Sequence, residues 1–204
     1  MSEQIIDGTG SGNRAKVDSN KRLHTKSVAI SQLANAVLES EAYNLSTGSI
    51  TLTSGNESAV GHITYNGDDP LVIKEIILIL NPSTGGSGAG TIKIYKNPTG
   101  GTIVTNAVAL PTASNRDFSS SKILQADAYK GVEGDTTTGF TETFAQTTRD
   151  ASFSGVVSFD AAEIVLRKGN SLSITFEPAT GNTSQTLVLA GTAYQDSATV
   201  NGGV

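Results

Sequence analysis

Leu71-Val72-Ile73-Lys74-Glu75-Ile76-Ile77-Leu78-Ile79-Leu80 is the longest apolar stretch of the chain, interrupted at Lys74 and Glu75. Ten residues fall far short of the roughly 20 that a membrane-spanning helix needs, and the Ile, Val and Leu content is that of a strand. Asn66-Gly67-Asp68-Asp69-Pro70 before it is a strong turn, and the glycine-rich stretch Asn81–Gly90 follows. The second half is apolar on both faces, as expected of a central strand or one facing a subunit neighbour.

Outward from this run the same reading continues. On the N-terminal side Ala59–Tyr65 returns from the turn Ser54-Gly55-Asn56, and Ser49-Ile50-Thr51-Leu52-Thr53 alternates with Ile50 and Leu52 on one face. On the C-terminal side Thr91-Ile92-Lys93-Ile94-Tyr95-Lys96 alternates as well. Beyond it Thr102-Ile103-Val104 reads as a short strand, and Phe118, Ile123 and Leu124 as scattered apolar anchors. Gly131–Thr148, rich in Thr and Gly, reads as a long loop held by Phe140 and Phe144; loops of that length are functional or ordered by neighbours. Strands resume over Phe153–Phe159, Glu163–Leu166, Leu172–Phe176 and Leu187–Tyr194, with turns at Arg167–Asn170 and Pro178–Asn182. About eight short strands separated by turns predict an all-β, two-layer β-sandwich, jelly-roll-like in connectivity.

The first 28 residues differ. Asp7–Asn13 is flexible and turn-forming, and Ala15, Val17 and Leu23 with polar neighbours fit a short hairpin. This predicts an extended N-terminal arm (1–28), a short helical connector (29–41) and a sandwich body (42–204). The one helix is expected over 31–40, with Ser31 as N-cap and Leu33, Val37 and either Ala36 or Leu38 near one face. Arg14, Lys16, Lys21, Arg22 and Lys26 against Glu3, Asp7 and Asp18 give the arm +2, so the remainder carries −7 of the net −5. An acidic body is a poor nucleic-acid binder, whereas the weakly basic arm suits either an acidic protein surface or a merely solvated tail.

Composition narrows the chemistry. Of 204 residues 37% are apolar and 16% charged, with the polar balance on Ser, Thr, Asn and Gly, unlike a helical enzyme. Without cysteine there are no disulfides, zinc-thiolate sites or cysteine nucleophiles. No segment predicts a membrane helix, and the opening around Ile5-Ile6-Asp7 does not read as a secretory signal, so synthesis in the cytoplasm is expected. His24 and His62 fall in different segments, and no G-x-S-x-G elbow accompanies the many serines. Gly8-Thr9-Gly10-Ser11-Gly12 lacks the lysine, preceding strand and following helix of a phosphate loop. Asp68 with Asp69, or Asp127 with Glu133 and Asp135, are the acids a structural calcium ion would use; neither set has EF-hand spacing and both lie in turns, where Asp is common. With no Trp, Tyr65, Tyr95, Tyr129 and Tyr194 read as strand-packing residues rather than a sugar platform. No catalytic, cofactor or metal site is expected.

Ile6-Asp7-Gly8-Thr9-Gly10-Ser11-Gly12-Asn13-Arg14-Ala15-Lys16-Val17-Asp18, followed by Arg22-Leu23-His24, resembles the N-terminus of a recurrent group of tailed-bacteriophage virion structural proteins. Ala42-Tyr43-Asn44, Thr47–Thr53, Ala126–Gly131 and Pro178–Ser184 are similar to further pieces of that group. The resemblance implies a virion component with a β-sandwich body and an assembly arm. The leading expectation is a capsid decoration (cement) protein, partnered by the major capsid protein and by itself as a homo-oligomer, for which a trimer is considered. In that picture Ile5, Ile6, Val17 and Leu23 make apolar contacts and Arg14, Lys16 and Arg22 pair with capsid acids. Neither nucleic acid nor membrane is an expected partner. The alternative is a neck, tail or fibre-associated protein that recognises a host surface; a carbohydrate-active enzyme on a jelly-roll scaffold comes third.

Overall fold

The computed structural model describes residues 31–105, 108–159 and 164–196. The assigned arm residues Ile5, Ile6, Arg14, Lys16, Val17, Arg22 and Leu23, and His24 with them, lie outside the described residues. Helix α1 (Gln32–Leu38) precedes β1 (Ala42–Leu52), β2 (Ser58–Tyr65), β3 (Leu71–Leu80) and β4 (Ala89–Lys96). Next come helix α2 (Thr102–Thr105), β5 (Val108–Ala109), β6 (Thr112–Asn115) and β7 (Ala126–Lys130). The chain continues with β8 (Glu142–Asp150), β9 (Gly155–Ser158), β10 (Ile164–Leu166), β11 (Ser171–Glu177) and β12 (Gln185–Gln195).

Two antiparallel sheets result. Sheet I runs β10-β3-β12-β1-β6, with β9 further along the same edge of β3; sheet II runs β5-β7-β2-β11-β4-β8. If β9 and β10 are taken as one interrupted strand, the chain folds as a long hairpin: β4 pairs β8, β3 pairs β9 and β10, β2 pairs β11, and β1 pairs β12. That hairpin is rolled so that β12 also pairs β3 and β11 also pairs β4. Eight strands in this order are a jelly roll. The remaining strands belong to an insertion between β4 and β8, which lays β6 beside β1 and β7 beside β2 and so widens both sheets on one flank.

The core lies between the sheets. Leu71, Ile73, Ile76, Leu78 and Leu80 of β3 and Leu187 and Leu189 of β12 face Ile92, Ile94, Leu172, Ile174 and Phe176 of sheet II. In β3 the inward positions jump from Ile73 to Ile76. The register explains it: Ala193 pairs Ile73 and Thr192 pairs Glu75, so Lys74 is an extra residue, a β-bulge. The apparent interruption in the apolar run is what keeps the later residues facing inward. A second irregularity in β1 leaves Thr47 buried, where its hydroxyl accepts a hydrogen bond from the Leu189 N–H at 3.0 Å. Gly61 leaves room for the opposite sheet, since a Cβ there would lie 2.3 Å from the Leu189 side chain.

Several expectations need correction. Residues 102–104 form helix α2 rather than a strand, so the described residues hold two short helices where one was expected. Gly101 opens the turn at φ 104°, and Ile103 is wholly buried where α2 meets β2 and β7. The long loop expected over Gly131–Thr148 is shorter, because β8 begins at Glu142. β8 is an edge strand whose inner face is half-buried through Ala145, Thr147 and Arg149, so it has no apolar alternation to reveal it. Of the expected anchors, Leu124 is buried, but Phe118 and Ile123 point to solvent. In α1 it is Ala36, with Leu33 and Val37, that packs on Ala42, Val72 and Tyr194; Leu38 is exposed.

Candidate interaction surface

The outer face of sheet II is polar and internally satisfied. Tyr129, His62, Ser173, Tyr95 and Thr143 are successive cross-strand partners in one row over five strands. His62 is 3% exposed, stacked on Tyr129 with ring centroids 6.2 Å apart. Its Nδ1 lies 2.7 Å from the Ser173 hydroxyl and its Nε2 2.9 Å from the Thr64 hydroxyl. Burial pushes its pKa down to about 4, against a smaller upward pull from Asp127. The Ser–His contact has the spacing of a nucleophile and its base, but the third partner is a threonine hydroxyl, which cannot stabilise an imidazolium as a carboxylate does. Ser173 is fully buried, and the adjoining interior space is apolar and about 50 Å³, room for a water or two. The pair therefore serves packing.

Beside that row Glu57 accepts hydrogen bonds from Lys93 at 2.7 Å, from Tyr95 at 2.9 Å and from Thr175. Burial alone would raise its carboxyl, but the three donors outweigh it and hold it below the usual carboxylate range. Of the acids considered as calcium ligands, Asp68, Asp127, Glu133 and Asp135 are engaged by protein groups. Asp68 pairs with Lys168, Glu133 accepts from Thr53, Asp127 accepts from Asn66, and Asp135 accepts from the Val132 N–H and the Thr102 hydroxyl. The tyrosines pack within or on strands: Tyr65 donates to the Asp69 carbonyl, Tyr95 stacks on Phe140, and Tyr194 donates to Gln32.

Sheet I presents the opposite character. Helix α1 covers its outer face over Val72 and Tyr194. Past the helix the outward positions are Val188, Ile79 and Val156, aligned across three strands, with Ala190 and Ile77 in the next row. Ile79 is 41% exposed and Val156 58%. The two-faced apolar character of 76–80 is thus real: Ile76, Leu78 and Leu80 fill the core while Ile77 and Ile79 face out.

Two further apolar features flank the sandwich. After β6, residues 116–125 form a corner stitched to the end of α1. Ser40 donates to Asp117 at 2.6 Å, Asn115 donates to the Ser40 carbonyl at 2.7 Å, and Lys122 donates to the Glu39 carbonyl at 2.9 Å. From these tied segments Phe118 (97% exposed), Ile123 (79%) and Leu38 (76%) project. On the other flank a groove of about 250 Å³ lies between β8 and β10, lined by Phe144, Ile164 and Leu172 with Lys96 and Glu142. Sequence reasoning missed both, since an apolar residue in a polar loop carries no mark of whether it faces the core or a neighbour.

No family model and no curated protein sequence matches the chain. Solved structures similar to it include two viral capsid proteins. One is the decameric BFDV capsid protein, at 12% identity and TM-score 0.31 over 76% of this chain and 98% of that one. The other is infectious bursal disease virus VP2 from a subviral particle, at 10% identity and TM-score 0.18 over 80% of this chain and 43% of that one. Likeness of this degree assigns no role to this chain; its jelly roll rests on its own strand order.

Proposed function

We propose that the chain is a virion structural protein of a tailed bacteriophage, and within that class a decoration protein that self-associates and bridges major capsid subunits. The observation that carries this is the outward apolar block of Ile77, Ile79, Val156 and Val188 on a sandwich whose interior is already filled. A contiguous apolar sheet face marks an interaction site. The basic arm precedes α1 in the sequence, and α1 packs on that same sheet face. In this reading the face meets the capsid, and Ile5, Ile6, Arg14, Lys16, Val17, Arg22 and Leu23 extend the contact. Modest contacts repeated over many copies reinforce a shell through multivalency. The test is imaging of intact particles with copy counting: occupancy over the whole head supports decoration, whereas a handful of copies at the neck or tail supports the host-attachment alternative. Deleting residues 1–28 should leave a folded body that no longer occupies particles; full occupancy would remove the arm's role.

A further inference from the structure

We infer that copies of this chain associate head to tail around a ring, with the Phe118 corner of one copy seated in the groove between β8 and β10 of the next. The inference rests on the self-association in the reading above and adds the contact that makes it.

Geometry comes first. Ile164, Ile73, Ala193, Tyr43 and Asn115 are successive cross-strand partners in a single row across sheet I. One end of the row, Ile164, lines the groove; the other, Asn115, leads into the corner that carries Phe118. Four interstrand steps separate them, about 19 Å. Projection and recess therefore lie on opposite flanks at the same end of the sandwich. A contact between two different surfaces of identical copies is heterologous, and one that joins opposite flanks repeats laterally and closes into a ring when the rotation permits.

The surfaces also match in kind. Phe118 is almost wholly exposed on a loop whose backbone is held by Asp117: Asn115 accepts from the Asp117 N–H at 2.9 Å, and Asp117 accepts from the Ser119 N–H at 2.9 Å. A rigidly presented aromatic with little packing of its own is the usual form of an interface anchor. The groove sets Phe144, Ile164 and Leu172 beside the polar Asn97, Asn170 and Ser171, and its volume of about 250 Å³ has room for an aromatic side chain. Phe144 is the extra residue of a bulge in β8, since Ile94 pairs Ala145 and Tyr95 pairs Thr143. A bulge on an open edge discourages simple strand addition and re-aims its side chain, here toward the recess. Charges agree as well. The corner carries Arg116, Asp117 and Lys122, the last paired with Glu41 at 3.1 Å, and the groove carries Lys96 and Glu142 paired at 2.8 Å, so neither surface brings a net negative charge to the contact. The acidic bodies, which repel one another in general, meet where the charges balance.

The test uses the full chain in solution. Wild type should sediment as a closed oligomer, while Phe118→Asp and Phe144→Asp should each sediment as monomers with wild-type circular dichroism. Phe118 has almost no packing to lose, so Phe118→Asp should also keep the melting temperature. Because the chain has no cysteine, Phe118→Cys copies mixed with Phe144→Cys copies should form a mixed disulfide that neither forms alone. A monomeric wild type, an Asp variant that keeps the assembly, or self-crosslinking of Phe118→Cys alone would overturn the inference. A ring-forming protein that never occurs on particles would instead overturn the virion reading and leave this contact standing.

Discussion

Lowering the pH sets the unfolded chain against the folded one at His62. Unfolded, the imidazole takes up a proton near pH 6.5; folded, burial between Tyr129, Ser173 and Thr64 delays protonation to about pH 4. A depressed folded-state value means that stability is whole above pH 6.5 and is lost as pH falls toward 4, by about 3 kcal/mol at the lower end. Denaturant titrations at pH 7 and 4.5 should show this loss in wild type and a much smaller one in His62→Gln. Gly131 is a second point where one residue decides. A Cβ there would lie 1.7 Å from the Ala59 carbonyl oxygen, so the insertion crosses β2 only because the side chain is absent. Gly131→Ala should cost at least about 3 kcal/mol by overpacking, read as a drop in the unfolding midpoint; an unchanged midpoint would mean that the insertion lies elsewhere.

Strand β3 shows how much an element depends on its count of residues. Removing Lys74 deletes the bulge, so either Leu71 and Ile73 or Ile76, Leu78 and Leu80 must turn outward, because a shift of one residue reverses every following side chain. The deletion variant should fail to give a soluble folded protein, whereas Lys74→Thr, which keeps the count, should fold; circular dichroism and gel filtration separate the two. The same bulge limits what the sequence reveals. The alternation of 49–53, 91–96 and 172–176 was plain, and with the turns it pointed to the sandwich. Lys74 read as a break in a run rather than as a spacer. β8 was hidden because an edge strand needs no apolar face, and α2 because its β-branched Thr-Ile-Val-Thr has strand propensity that the burial of Ile103 overrides. Of the candidate surfaces, the two-faced character of 76–80 was legible. The Phe118 corner and the β8–β10 groove were not, since only the fold brings Leu38 beside residues 116–125 and Phe144 beside Ile164.

At the scale of the molecule the two outer faces divide the tasks. Sheet II closes its outer surface with hydrogen-bonded pairs such as His62 with Ser173 and Glu57 with Lys93, Tyr95 and Thr175, leaving little to offer a neighbour. Sheet I leaves Ile79 and Val156 outward and, among the described residues, uncovered. Ile79→Lys and Val156→Lys should therefore leave folding intact and weaken particle binding by about tenfold each, the effect of losing roughly 1.4 kcal/mol. Quantifying bound protein on purified particles checks this; unchanged binding would place the capsid contact on another face.

The order in which the strands are made also matters. β12 occupies the middle of sheet I between β1 and β3, and β11 the middle of sheet II between β2 and β4, yet among the described residues these two strands come last. Ala42 waits for Tyr194, so a nascent chain halted before residue 185 holds flanking strands with no centre to join them. Such topology leaves the pairings that centre both sheets until β11 and β12 are made, and long-range pairing of this kind makes folding slow. It also proofreads translation: an interrupted product exposes unpaired strands to proteolysis, and only chains read through β12 become candidates for assembly.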